Sequence, residues 1–141
     1  MFEVYIHVPF CLRRCGYCDF NTYTATDLGA GASRGNYANM VIREMKLTKQ
    51  WQLDHGIEEP PVSTVFFGGG TPTSLSAAQL RQLMGTVREC FDLSAIVEYT
   101  VEAGRPDCTD AEKLAVIKEY GATRISINPQ TFSDEVLANI G

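Results

Sequence analysis

Two rhythms of apolar and polar positions alternate along this chain. Short β-rich runs are each followed by a longer stretch with apolar residues at helical spacing. The first run is Val4 to Val8, ended by Pro9, and a cysteine-bearing loop continues to about Thr22. Residues 26–36 (TDLGAGASRGN) are rich in Gly, Ala and Ser and are expected to form a flexible connection. Tyr37 to about Trp51 is predicted helical, with Tyr37, Met40, Val41, Met45 and Leu47 on one broad apolar side. Val62 to Phe67 is a second strand, closed by Gly68-Gly69-Gly70. Ser76 and Gln79 form a capping-box pattern for a helix running to Phe91. Val97 to Glu102 is a third strand, broken by Gly104, Arg105 and Pro106. Thr109 with Glu112 is expected to cap a third helix that runs to about Tyr120, before Gly121. Arg124 to Asn128 is a fourth strand, and Ser133 caps a final short helix ending at Gly141.

Strands alternating with helices at this spacing imply βαβ units, right-handed crossovers and a parallel sheet. No internal repeat or low-complexity tract interrupts the pattern. Four such units are too few to close a β/α barrel. The expected fold is therefore α/β, a partial (β/α) barrel of about four units, with residues 1–141 as the N-terminal part of a larger core domain. An open doubly wound sheet is the alternative. In the barrel reading the fourth strand would present an unpaired edge. Poor stability in isolation and little or no turnover would follow.

Composition narrows the class. Hydrophobic residues make up 45% and charged residues 21% of the 141 positions, which is ordinary for a globular domain. Twelve Lys and Arg against seventeen Asp and Glu give a net charge of −5, with no basic patch to suggest a nucleic-acid partner. No apolar run approaches the length of a transmembrane segment, about 20 residues, and no signal-peptide pattern is expected. Three of the five cysteines crowd into positions 11–18. That favours a reducing, cytoplasmic compartment and metal or redox chemistry over a disulfide framework.

The sharpest chemical signal is Cys11-x3-Cys15-x2-Cys18. Thiolates bind soft metals and iron–sulfur clusters. Three of them on a four-iron cluster leave one iron open, and Tyr17 could shield it. A closed zinc site needs four ligands and would have to recruit His7, Asp19, Cys90 or a partner. The same spacings could also place three buried thiols on one helix face, although Pro9, Gly16 and Arg13-Arg14 suit a core helix poorly.

Gly68-Gly69-Gly70-Thr71-Pro72 follows a strand directly. Successive glycines let a ligand approach the backbone and expose its amide and carbonyl groups, though a structural turn explains them equally well. The segment is neither a dinucleotide fingerprint nor a phosphate loop. The cysteine loop, the glycine loop, Glu102 and Gln130 each follow or end a different predicted strand. In a parallel sheet those ends lie on one face, where β/α proteins place their sites. Elsewhere Cys90 and Cys108 are expected to be inert thiols, and His7 to be structural. Arg13-Arg14 is a solvated pair or a dock for an acidic electron donor.

The segments YIHVPFCLRRCGYCDFNTYTA and FFGGGTPTSL resemble the radical S-adenosylmethionine superfamily, in its oxygen-independent coproporphyrinogen III oxidase-like branch. Cys18-Asp19-Phe20-Asn21 is most similar to the heme chaperone HemW group. The resemblance implies that Cys11, Cys15 and Cys18 hold a 4Fe-4S cluster whose open iron is chelated by S-adenosylmethionine. It implies that Tyr5, Tyr17, Gly69, Gly70, Thr71, Glu102 and Gln130 line the S-adenosylmethionine sites. In the family, electron transfer from the reduced cluster breaks a carbon–sulfur bond of the sulfonium and yields a 5′-deoxyadenosyl radical. The implied partners are heme or a porphyrinogen, and an electron donor such as flavodoxin or ferredoxin.

Two further readings stay open. Val101-Glu102-Ala103-Gly104-Arg105-Pro106 and Ile127-Asn128-Pro129-Gln130 look more like a coproporphyrinogen dehydrogenase branch, an oxidoreductase that decarboxylates propionates to give protoporphyrinogen IX. Arg105 would then pair with a carboxylate, or serve only as a turn residue. The third reading is a non-catalytic fragment that binds the cluster.

Overall fold

The computed structural model describes residues 1–140. Strand β1 (Glu3–Val8), helix α1 (Tyr37–Asp54), β2 (Thr64–Gly69), α2 (Ala77–Cys90), β3 (Glu98–Glu102), α3 (Ala111–Glu119), β4 (Arg124–Ser126) and α4 (Asp134–Ile140) follow one another in chain order. The four strands form one parallel sheet in the order β1-β2-β3-β4. A doubly wound sheet would reverse its order at a switch point. Here each strand adds beside the last in the same direction. Right-handed crossovers then put α1, α2 and α3 on one face, the arrangement of a barrel wall.

That face holds the core. Val4, Ile6 and Val8 of β1, Val65 and Phe67 of β2, and Tyr99 and Val101 of β3 all point into it. They meet Met45 of α1, Leu80, Leu83, Met84 and Val87 of α2, and Val116 and Ile117 of α3. Alternation in β1 is complete, because the neighbours of each buried residue lie on the opposite face. The Phe67 and Tyr99 rings stack at 6.0 Å, and each such burial contributes roughly 1.5–3 kcal/mol. The opposite face carries the cross-strand row Tyr5, Phe66, Thr100 and Arg124. Thr100 is buried there beneath Glu98, which accepts its hydroxyl at 2.6 Å, and Arg124.

The structure moves several expected boundaries. β2 begins two residues later and runs through Gly68 and Gly69, which pair with His7 and Val8. Val62 is instead spent outside the ladder, its amide donating to Asp92. β4 stops at Ser126 rather than Asn128. α1 is longer than expected and buries a narrower stripe. Ala38 and Met45 are buried in it, while Met40 and Leu47 are exposed.

Ser76 caps α2 through the complete capping box with Gln79. α3 is capped by Asp110, which accepts from the Lys113 amide, and not by Thr109. Thr109 donates instead to the Thr73 hydroxyl at 2.9 Å. Ser133 accepts from the Val136 amide at the start of α4, and the expected end at Gly141 lies outside the described residues.

The segment 26–36 is a closed turn rather than a loose connection. Leu28 donates to Ala32 and Arg34 to Thr26, and the Gln79 side chain pins the carbonyls of Arg34 and Gly35 to α2. No helix of the described residues is long and apolar enough to cross a membrane.

Candidate functional site

The ends of β1 to β4 carry the site. Chain leaving β1 is tied into a loop at its neck. Tyr23 donates to the Pro9 carbonyl at 2.7 Å, and Cys11 donates back to the Tyr23 carbonyl at 3.0 Å. Phe10 is buried at this neck, edge-on to Tyr37. Residues 11–18 are turns and bends, so the thiols do not line a helix face. Cys11 is buried, and Cys15 and Cys18 are half-buried. Cys18 donates to the Cys15 carbonyl at 3.1 Å, and the Arg14 guanidinium donates to the Cys18 carbonyl at 3.1 Å.

The glycine loop lies directly against this neck. Gly69 has φ +105°, a region that favours glycine. A Cβ on Gly70 would lie 2.8 Å from the Phe10 carbonyl oxygen and 2.9 Å from Cys11 Sγ. Only glycine lets the two loops approach this closely. Of the two readings of this segment, a ligand approach and a structural turn, the amides of Gly70 and Thr71 follow the second. Gly70 donates to Val8 at 2.7 Å and Thr71 to Phe10 at 2.9 Å. The buried Thr71 hydroxyl faces Cys11 Sγ at 3.5 Å.

Glu102 ends β3 half-buried. Burial pushes its carboxyl above the usual carboxylate range, while the Gly69 amide and the Arg124 cation pull it back. Gln130 follows β4 with φ +64°, a left-handed conformation uncommon for a residue with a side chain. Thr131 closes a tight turn across it by donating to the Pro129 carbonyl at 2.7 Å. The exposed Tyr17 phenol is raised, first by partial burial and then by its hydrogen bond to Cys15.

One open cavity of about 250 Å³ gathers these features. Cys11, Cys15, Cys18, Tyr17, Gly69, Gly70, Thr71, Glu102 and Gln130 all line it. Tyr5 does not. It stands on the sheet face below, its hydroxyl 3.2 Å from His7 Nδ1, and its phenol is raised by burial and by the Glu102 charge. His7 places its other ring nitrogen against the Asn21 carbonyl at 3.1 Å, the structural role expected of it.

From sequence, Arg105 is a partner for a carboxylate or a turn residue. In the structure it reaches the cysteine loop, and its Nη2 donates to Cys15 Sγ at 3.0 Å and to the Arg13 carbonyl at 2.9 Å. Gly104 and Asn128 also line the cavity. Their position immediately after β3 and β4 was the available signal. Cys90 and Cys108 lie elsewhere, their thiols pushed up by burial.

The donor set fits an iron–sulfur cluster. The three cysteines line one cavity, and Thr71 and Arg105 direct donors at the sulfurs of Cys11 and Cys15. No three His, Cys, Asp or Glu side chains among the described residues converge as they would around a single ion. A cluster instead takes each thiolate on a separate iron.

The model of the radical SAM superfamily matches residues 5–141. The chain belongs to the radical SAM superfamily. This membership implies a 4Fe-4S cluster and S-adenosylmethionine. Among curated radical SAM relatives, the oxygen-independent coproporphyrinogen-III oxidase-like protein HemZ of Bacillus subtilis is 41% identical over 140 residues. That alignment covers 99% of this chain and 27% of HemZ. The heme chaperone HemW of Mycobacterium tuberculosis is 42% identical over 139 residues, covering 99% of this chain and 34% of HemW. HemW of B. subtilis is 41% identical, covering all of this chain and 35% of its own length. The chain thus spans roughly a third of the relatives it matches. The structure of coproporphyrinogen III oxidase HemN from Escherichia coli, a radical SAM enzyme, superposes with a TM-score of 0.76 at 26% identity. It covers 99% of this chain and 30% of HemN. The α/β fold read from the sequence, an incomplete β/α barrel of radical SAM type, is the fold found.

Proposed function

We propose that this chain forms the cluster-binding part of a radical SAM protein of heme metabolism, with a HemW-like heme-handling role. The observation that carries the reading is the convergence of Cys11, Cys15 and Cys18 with Gly69, Gly70, Thr71, Glu102 and Gln130 around one cavity at the strand ends. Cys11, Cys15 and Cys18 would hold the 4Fe-4S cluster. Tyr17, Gly69, Gly70, Thr71, Glu102 and Gln130 would contact S-adenosylmethionine, with Tyr5 supporting the floor from below. When bound, the cluster and S-adenosylmethionine together supply one-electron radical chemistry.

The chain's own residues do the rest. The half-buried Glu102 carboxyl accepts hydrogen bonds from hydroxyls, and Gln130 both donates and accepts. Tyr17 and Phe20 line the cavity and would shield a bound group from water. The five unpaired cysteines suit a cytoplasmic, reducing setting. A flavodoxin- or ferredoxin-type protein would supply the electron.

HemW similarity at 41–42% identity and the Cys18-Asp19-Phe20 segment, which lacks a further cysteine, support the chaperone role. Heme would be the cargo. The second reading, decarboxylation of coproporphyrinogen III to protoporphyrinogen IX, rests on Glu102-Ala103-Gly104-Arg105-Pro106 and on the similarity to HemZ. The test is anaerobic, on the full-length protein with reconstituted cluster. Heme binding and transfer to an acceptor, with no CO2 from coproporphyrinogen, are expected. Release of CO2 with formation of protoporphyrinogen selects the second reading. An intact cluster with neither activity leaves only a cluster-binding role.

A further inference from the structure

Arg105 sits one turn beyond β3, yet its guanidinium is spent on a loop 90 residues earlier in the chain. Nη2 lies 3.0 Å from Cys15 Sγ and 2.9 Å from the carbonyl oxygen of Arg13. No carboxylate pairs with it among the salt bridges of the described residues. The residue is half-buried and lines the same cavity as the three cysteines. Such a placement has a cost, because a guanidinium moved out of water normally takes a carboxylate or several carbonyls in exchange. Here the exchange partners are one carbonyl and a sulfur.

We propose that Arg105 is a positioning and redox-tuning residue for the cluster. It fixes Cys15 in place, and it holds a permanent positive charge on the anionic sulfur. The inference deepens the cluster reading and rests on it. Two physical consequences follow. A guanidinium stays protonated at every working pH, so the charge it sets against the sulfur does not vary. Hydrogen bonds to cluster sulfurs and the net charge around them are among the levers that set a cluster's potential. A donor that is also a cation stabilises the more negative, reduced cluster more than the oxidised one. The reduction potential is therefore higher with Arg105 than without it. The second contact, to the Arg13 carbonyl, anchors the loop on the N-terminal side of Cys15, as Arg14 anchors it at the Cys18 carbonyl.

The experiment is an anaerobic redox titration followed by electron paramagnetic resonance. It compares full-length reconstituted wild type with Arg105→Gln, Arg105→Lys and Arg13→Gln. Iron and sulfide are counted in each sample first. The expected result is a lower midpoint potential in Arg105→Gln, an intermediate one in Arg105→Lys, and a value near wild type in Arg13→Gln. The Lys variant keeps the charge but loses the two-point geometry. If Arg105→Gln does not retain a cluster, Arg105→Lys alone decides, and its potential must fall below wild type. Unchanged potentials at Arg105 in cluster-loaded protein overturn the inference while leaving the cluster reading intact. So does an equal drop in Arg13→Gln, which would trace the effect to general charge rather than the sulfur contact. A wild-type protein that retains no iron or sulfide overturns the cluster reading itself, and this inference with it.

Discussion

Replacing Gly70 with alanine adds a single methyl group where the glycine loop presses against the neck of the cysteine loop. That carbon would lie 2.8 Å from the Phe10 carbonyl oxygen, 2.9 Å from Cys11 Sγ and 3.0 Å from the Val8 carbonyl oxygen. Neither carbonyl can retreat freely. Val8 accepts from the Gly70 amide, and Phe10 accepts from the Thr71 amide and the Ser74 hydroxyl. Relieving the clash means opening at least one of those hydrogen bonds or displacing Cys11. Overpacking of this kind costs about 1–3 kcal/mol, and a lost hydrogen bond adds about 1 kcal/mol, so Gly70→Ala should destabilise by about 2–4 kcal/mol.

With a urea slope of about 2 kcal/mol per molar, the unfolding midpoint should fall by about 1–2 M. Gly104→Ala is the matched control. It also lines the cavity, but its added Cβ meets nothing closer than 3.8 Å, so its midpoint should stay near wild type. Because the clash includes Cys11 Sγ, reconstituted Gly70→Ala should also hold less iron than Gly104→Ala. A Gly70→Ala protein with the wild-type midpoint and full iron content would refute the close approach of the two loops.

Three other outcomes are expected. Burial raises Glu102 above the ordinary carboxylate value, so its ionised form is penalised in the folded chain. Glu102→Gln should therefore stabilise the apoprotein at neutral pH, and the gain should vanish as pH falls through the raised value toward the ordinary one; denaturation at several pH values reads this, and a gain that grows in acid contradicts it. Ser76→Ala removes the hydroxyl arm of the capping box on α2, leaving the Gln79 amide N–H without its cap, and should cost about 1 kcal/mol, visible as a melting point lower by about 3 °C. Reversing the charges of Arg13 and Arg14 should slow reduction of the cluster by an acidic donor protein, most at low salt; a rate independent of both charge and salt removes that dock.

The fold was legible because its signals are local. Capping by Ser76 needs only Gln79 three residues on, and the strand-to-helix alternation needs only its own period. The site was legible through spacing, since Cys11, Cys15 and Cys18 sit in one loop and strand ends in a parallel sheet share one face. What escaped depends on distant partners. Arg105 is a breaker residue in sequence, and its contact with Cys15 exists only because β3 ends near the loop after β1. Thr109 reads as a cap, but Thr73 offers its hydroxyl a partner and Asp110 takes the helix end. Met40 and Leu47 read as core residues, yet α1 meets the sheet along the narrower line of Ala38 and Met45. The triple glycine reads equally as a ligand cradle or a structural turn, and only the fold shows that its Gly70 and Thr71 amides are spent on β1 and the neck of the cysteine loop.

Sulfur ligation by one loop is the claim beneath all of this, and metal analysis tests it most directly. The full-length protein is reconstituted without oxygen beside single Cys→Ser variants at each of the five cysteines, and iron and acid-labile sulfide are counted. Wild type, Cys90→Ser and Cys108→Ser should each hold about four of both, and the variants at Cys11, Cys15 and Cys18 little or none. Retention of iron and sulfide after loss of any of those three, or their absence from wild type, would contradict the account.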